Sequence, residues 1–198
     1  MLEQVRRARE LDRVRVIAVS DMYLVCPWAD LLYFADAKWW KWHTEGIAKS
    51  WPWAKFTAEE VRKAFAGFAG QKVTVFTTGM MVSDGRVFML HRCSSEGLSE
   101  KQNGLHTGGN SGHMALNPAF LAGGNPILLL GYDGKRGPRG EKHGFGEHPD
   151  KTEPPYKDMQ RNFAGTLPVL KAAGVSVINC TPSSAITCFP KTPLEQAL

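Results

Sequence analysis

Apolar positions along the 198 residues change period from one segment to the next, and those changes lay out an order of elements. Leu2, Val5, Ala8 and Leu11 fall at helical spacing, so a short amphipathic helix is expected over Leu2 to Leu11. Val14 to Val19 reads as a strand ending at Ser20-Asp21, and Leu31 to Ala35 as a second one closed by Asp36. The unbroken hydrophobicity of the second suits a parallel strand covered on both faces. Thr57-Ala58-Glu59-Glu60 has the form of a capping box, with Val61, Ala64, Phe65 and Phe68 as the apolar face of a helix that Gly70 should stop. Lys72 to Thr77 and Val87 to Leu90 read as strands joined through Ser83-Asp84-Gly85. His91 to Thr107 is polar and contains glycine, and reads as a long active-site loop.

Further along, Ser111 to Leu121 reads as a helix that Pro118 should kink or end near Met114 to Asn117. Ile127 to Leu130 is a buried strand running on into Gly131-Tyr132-Asp133, and Gly134 to Pro155 is a second long loop. Tyr156 to Ala173 reads as a helix interrupted by Pro168, Val175 to Asn179 as a strand, and the tail from Thr181 to Leu198 as a short closing segment. This alternation of strand and helix predicts an α/β fold with a largely parallel sheet, expected as one domain over residues 1–198.

Composition narrows the class. Hydrophobic residues make up 43% and charged residues 22%, ordinary proportions for a globular protein. No run approaches the roughly 20 apolar residues of a membrane span, and the first residues are charged rather than signal-like, so a cytoplasmic location is expected. Cys26, Cys93, Cys180 and Cys188 form no Cys-x-x-Cys pair, which argues against a zinc knuckle or a disulfide framework. The net charge of +5 favours polyanions, yet Arg6-Arg7, Arg13 to Arg15 and Lys135-Arg136 with Arg139 are separate clusters, better read as a solvated basic surface than as a nucleic-acid face. All six tryptophans lie between Trp28 and Trp53, where they could stack a base or sugar or wedge a core.

The chemistry concentrates in His106-Thr107-Gly108-Gly109-Asn110-Ser111-Gly112-His113, a glycine-rich turn opening a helix, whose bracketing His106 and His113 could contact phosphate, a surface position being an equally good reading for His113. Unpaired amides and the positive end of the helix dipole should face outward there and welcome a nucleotide phosphate. Thr107, Gly108, Gly109, Asn110, Ser111 and Gly112 are therefore candidate ligand contacts, with Tyr132, Thr181 and Ser183 beside them. The turn lacks the Gly-Lys-Ser/Thr of a Walker loop and the spaced glycines of the dinucleotide fingerprint. Asp133 is placed to hold a divalent cation bridging phosphates, or a ribose; capping the strand end is the alternative use. Asp21 and Asp36 close other strands and could join it in one crevice. His143 and His148, flanking Gly144 to Glu147, supply a candidate general base. Their spacing does not suit a helical zinc motif, and an exposed loop histidine with no task is the competing reading.

With Ser20-Asp21-Met22-Tyr23, Pro27-Trp28-Ala29-Asp30, Ala35-Asp36 with Trp39-Trp40, Gly108 to Gly112, Leu129 to Asp133, His143 to Pro149 and Asn179 to Ala185 in place, the chain resembles a group of short bacteriophage and prophage proteins of poorly defined function. The order of elements is more distantly similar to a Rossmann-like superfamily that includes bacterial sialyltransferases and archaeal hydroxymethylpterin pyrophosphokinases. The resemblance implies a Rossmann-like three-layer domain, a nucleotide or nucleotide-sugar ligand, and transfer of the glycosyltransferase type, with His143 or His148 as base. The acceptor would be a base in phage DNA or a cell-surface sugar. It also implies a first strand and a Gly-Gly-Gly-Pro-Ser type loop, which the sequence lacks. A nucleotide-sequestering or host-interaction protein without turnover is the alternative.

Overall fold

The computed structural model describes residues 1–45, 56–75, 85–142 and 154–198. The chain divides into two compact units, one of Leu2–Leu90 with Gly140–Glu153, the other of Met1, His91–Arg139 and Pro154–Leu198.

In the first unit, helix α1 (Leu2–Glu10) buries Val5 and Ala8 at the expected spacing. Asp30 fixes the entry to the sheet: its carboxylate accepts from the Val16 amide at 2.8 Å and from Arg9 at 2.9 Å. Strand β1 (Ile17–Val19) leads into a 3-10 turn over Ser20–Leu24, and strand β2 (Leu31–Phe34) is buried almost throughout, as a strand covered on both faces must be. Helix α2 (Ala37–Glu45) follows, then helix α3 (Ala58–Gly67), whose Thr57 and Glu60 form the predicted capping box, Glu60 N donating to Thr57 Oγ1 at 3.2 Å and Thr57 N to Glu60 Oε2 at 2.6 Å. The helix stops at Gly67, before Gly70. Gly70 answers a different demand, since a Cβ there would stand 2.5 Å from the Ala29 carbonyl oxygen. Strand β3 (Gln71–Val75) completes this part of the sheet with the start of strand β4 (Val87–Ser94).

The core of this unit is aromatic. Phe34 stacks on Trp39 at 4.8 Å, and Phe65 meets Phe34, Trp39 and Trp40 edge-on. Trp39 and Trp40 are buried members of the core, with Trp28 and Trp42 packed against it, so these four rings serve the interior. Trp51 and Trp53 lie outside the described residues.

In the second unit, the end of β4 pairs with strand β5 (Gly104–His106), with an irregularity between Arg92 and Ser94. The predicted loop from His91 to Thr107 therefore contains sheet at both ends. Polar residues exposed on a strand leave no hydrophobic alternation to read, which is why the pattern missed it. Helix α4 (Ser111–Leu121) runs unbroken to Leu121 with Pro118 inside it. Of the expected kink or end near Met114 to Asn117, the end does not occur, because the burial of Leu116, Asn117 and Pro118 holds the helix together despite the one bond proline removes. Strand β6 (Ile127–Leu129) is shorter than the apolar run suggests, and strand β7 (Val177–Asn179) pairs with it in parallel. Helices α5 (Tyr156–Ala164) and α6 (Leu167–Ala172) split the predicted long helix, with Pro168 in the first turn of α6, where a missing N–H costs nothing. Helix α7 (Leu194–Ala197) closes the chain. Leu116, Ile127, Leu129, Phe163, Leu170, Val177 and Phe189 form the second core.

The architecture is mixed α/β. Strands β1 to β5 form an all-parallel sheet in sequence order, flanked by helices and compatible with a Rossmann-like three-layer fold, while β6 and β7 make a separate two-stranded pair. No helix among the described residues is long and apolar enough to cross a membrane.

Candidate functional site

The glycine-rich turn joins β5 to α4. Gly108 and Gly109 adopt φ of 47° and 75°, a left-handed pair open to glycine and strained for other residues. Asn110, at φ −157° and ψ 154°, is the N-cap of α4, its side-chain oxygen accepting from the His113 amide at 2.8 Å. Its amide nitrogen donates to the Gly108 carbonyl at 3.3 Å, and Asn162 on α5 donates to the same carbonyl at 2.7 Å. Both side-chain ends of Asn110 thus serve the turn itself. Among the described residues nothing accepts from the Ser111 and Gly112 amides or from the Ser111 hydroxyl. Gly109 is exposed, while Thr107, Asn110, Ser111 and Gly112 are half-buried. Two open N–H groups, a hydroxyl and the positive end of an eleven-residue helix are groups that attract negative charge.

His113 lies beneath this turn. A Cβ on Gly108 would stand 2.1 Å from His113 Nδ1, so the ring fills the space a larger residue would need. The side chain is fully buried, and neither ring nitrogen makes a hydrogen bond of good geometry, although the Asn162 and His106 backbone carbonyls lie close enough to act on the ring. Burial pushes its pKa from the ordinary 6.5 down to about 4, opposed by the Asn162 carbonyl; the charge of His106 lowers it further and the His106 backbone raises it. The ring is neutral at physiological pH.

The segment after β6 touches the helix start. The Tyr132 hydroxyl donates to the Gly112 carbonyl at 3.2 Å, and a Cβ at Gly112 would lie 3.0 Å from the Tyr132 ring. Tyr132 is itself held from the far end of the chain: its amide donates to Thr181 Oγ1 at 3.0 Å and its carbonyl accepts from the Ser184 hydroxyl. Thr181 is buried in that bond. Ser183 is exposed, and Ser184, one residue on, is the serine built into the structure. Asp133 follows Tyr132, exposed, four residues beyond the end of β6 rather than at the strand end; its backbone carbonyl accepts from the Ala185 amide at 2.7 Å.

The remaining predicted residues have other surroundings. Asp21 and Asp36 belong to the unit of β1 and β2, whereas the turn and Asp133 belong to the other. Asp21 is 6% exposed, and its Oδ1 accepts from Trp39 Nε1 at 2.7 Å and stands 3.2 Å from His43 Nε2. His43 Nδ1 in turn meets the Tyr23 hydroxyl at 2.6 Å, so Asp21 anchors a buried polar chain. Asp36, exposed at φ 91°, accepts from the Lys38 amide at 2.7 Å and so caps α2. His143 and His148 lie outside the described residues. Among the described residues no group of three or more His, Cys, Asp or Glu could hold a metal ion. Burial raises the thiol pKa of Cys26, Cys180 and Cys188, which makes them poor nucleophiles.

Two residues of the site escaped the sequence reading. Asn162 reaches the turn across 54 residues, and nothing in the pattern of α5 marks it out. Asn117, buried on α4, accepts from the Ser99 and His106 amides at 2.8 and 3.2 Å and donates to the Ser99 carbonyl at 2.9 Å, fixing the approach to the turn. A cavity of about 660 Å³ between Gly67–Lys72 and Gly85–Phe88, and another of about 610 Å³ beside α6 and Cys188, contain none of the predicted site residues. The chain matches no protein-family model, no curated protein and no solved structure.

Proposed function

We propose that this protein binds a nucleotide or nucleotide-sugar through its phosphates at the start of α4, and that transfer of the glycosyl or a related group from that ligand is its reaction. The observation that carries the binding reading is the pair of uncommitted Ser111 and Gly112 amides at the mouth of a turn whose Gly108 carbonyl and Asn110 side chain are already engaged. Donors that need not break an internal bond to accept a ligand are preorganised for it. Tyr132, in contact with Gly112, carries the chain to Asp133, which is available to a ribose or to a cation travelling with the phosphates. The transfer step rests on the resemblance to sialyltransferase-type proteins and assigns the base to His143 or His148.

The test is a panel of nucleotides and sugar nucleotides screened by melting shift, with binders followed by titration and by assay for released nucleotide. Ser111→Pro is the informative variant. Proline at the first helical position keeps the helix, the extended backbone of Asn110 suits a residue before proline, and one open N–H is deleted. We expect wild-type-like melting and about tenfold weaker binding, the loss of roughly one charge-assisted bond. Binding without release would identify the sequestering alternative. A panel with no binder, or a Ser111→Pro protein that binds as wild type does, would overturn the site.

A further inference from the structure

His113 is a polar group placed where an apolar one would pack with less penalty. Its ring is fully buried, lies 5.4 Å from Phe163 between centroids, occupies the space behind Gly108, and makes no hydrogen bond of good geometry through either nitrogen, with the Asn162 and His106 carbonyls nearby. A buried donor and acceptor left unmade is a standing cost, and phenylalanine or leucine would fill the same volume without it. The residue's own amide belongs to the first turn of α4, adjoining the open Ser111 and Gly112 amides. An anion seated on those amides would bring full negative charge to the turn that covers the ring. The other groups facing His113 are the His106 side chain from β5 and the backbone carbonyls of His106 and Asn162. The ring of Phe163 completes the enclosure from α5.

Building on the phosphate-site reading, we propose that anion binding at the start of α4 is coupled to protonation of His113: the imidazole is neutral under the empty turn and becomes imidazolium when a dianion sits above it. The conversion adds one N–H donor to a ring that already lies by the His106 and Asn162 carbonyls, and it places a positive charge behind the turn only when negative charge stands in front. Burial keeps the empty site neutral, because the cation alone is poorly solvated there. The dianion supplies the missing term, and by linkage its affinity rises as pH falls through the range in which the occupied site holds the proton and the empty one does not.

Inorganic sulfate is the probe, because it stays a dianion throughout the working range and brings no proton of its own. Titration calorimetry of the full chain at about pH 5 to 6, in buffers of different ionisation enthalpy, should report uptake of up to one proton per sulfate bound. The His113 ring resonances, assigned by their loss in His113→Gln, should move toward the imidazolium position, with an apparent pKa raised by about one unit or more. Sulfate bound with no proton uptake, or with uptake on His106 instead, would overturn the coupling while leaving the phosphate site standing. Failure of both sulfate and inorganic phosphate to bind would overturn the coupling as well, and the nucleotide panel would then decide separately whether the site reading falls with it.

Discussion

His113 also makes a claim about stability. Its pKa in the folded chain lies below the ordinary 6.5, at about 4, so the unfolded chain binds more protons between those two values. Stability is therefore lost as pH falls from 6.5 toward 4 and changes no further on this account below that. The size of the loss is up to about 3 kcal/mol. Urea denaturation across that range should show the decline in the wild-type chain and a flatter profile in His113→Gln, which has no proton to take up. An unchanged slope in the variant would place the acid sensitivity elsewhere. The residue is also instructive about reading sequences. A histidine two positions into a helix after a glycine turn was as consistent with the surface as with a phosphate contact, and only the tertiary packing of Gly108 and Phe163 around it reveals a buried ring.

Among the elements, α4 carries the most. Its first turn supplies the open amides, and its Asn117 ties down the segment that delivers the turn. Replacing Asn117 by leucine would keep the branched shape, add some bulk and strand the Ser99 amide and carbonyl and the His106 amide. We expect a loss of about 3 kcal/mol or more, read as a lowered denaturation midpoint with unchanged slope. Most elements were legible from period and capping, among them α1, the Thr57 box of α3 and the short buried β2, whereas the single helix expected over Tyr156 to Ala173 breaks at Gly165 and Thr166, ahead of Pro168. The turn itself was legible too, since paired glycines permit a left-handed bend and Asn followed by Ser favours a helix start. What the pattern could not give was the polar end of β4, whose exposed side chains mask a strand, or the persistence of α4 past Pro118, which is decided by burial. The side-chain clamps from Asn162 and Asn117 were equally hidden, because a hydrogen bond spanning many residues leaves no local trace.

For the whole molecule, the relevant fact is two compact units with separate hydrophobic cores, one rich in tryptophan and phenylalanine around Phe34 and Phe65, the other built on Leu116, Phe163 and Leu170. Truncation of a buried phenylalanine to alanine costs about 3–5 kcal/mol. Hydrogen exchange should place that cost locally: Phe163→Ala should weaken protection of α4, β6 and β7, and Phe65→Ala that of β2 and α3, each within its own unit. Uniform loss of protection from either substitution would show instead that the chain opens as one cooperative body.

The bonds from Thr181 and Ser184 to Tyr132 have a practical corollary for anyone shortening this chain. A protein cut before residue 181 would keep every glycine of the turn and all of α4, yet would release the backbone that seats the tyrosine ring against Gly112 and carries Asp133. The far end of the polypeptide is in that sense a splint for its middle, and minimal versions made for ligand work should retain it.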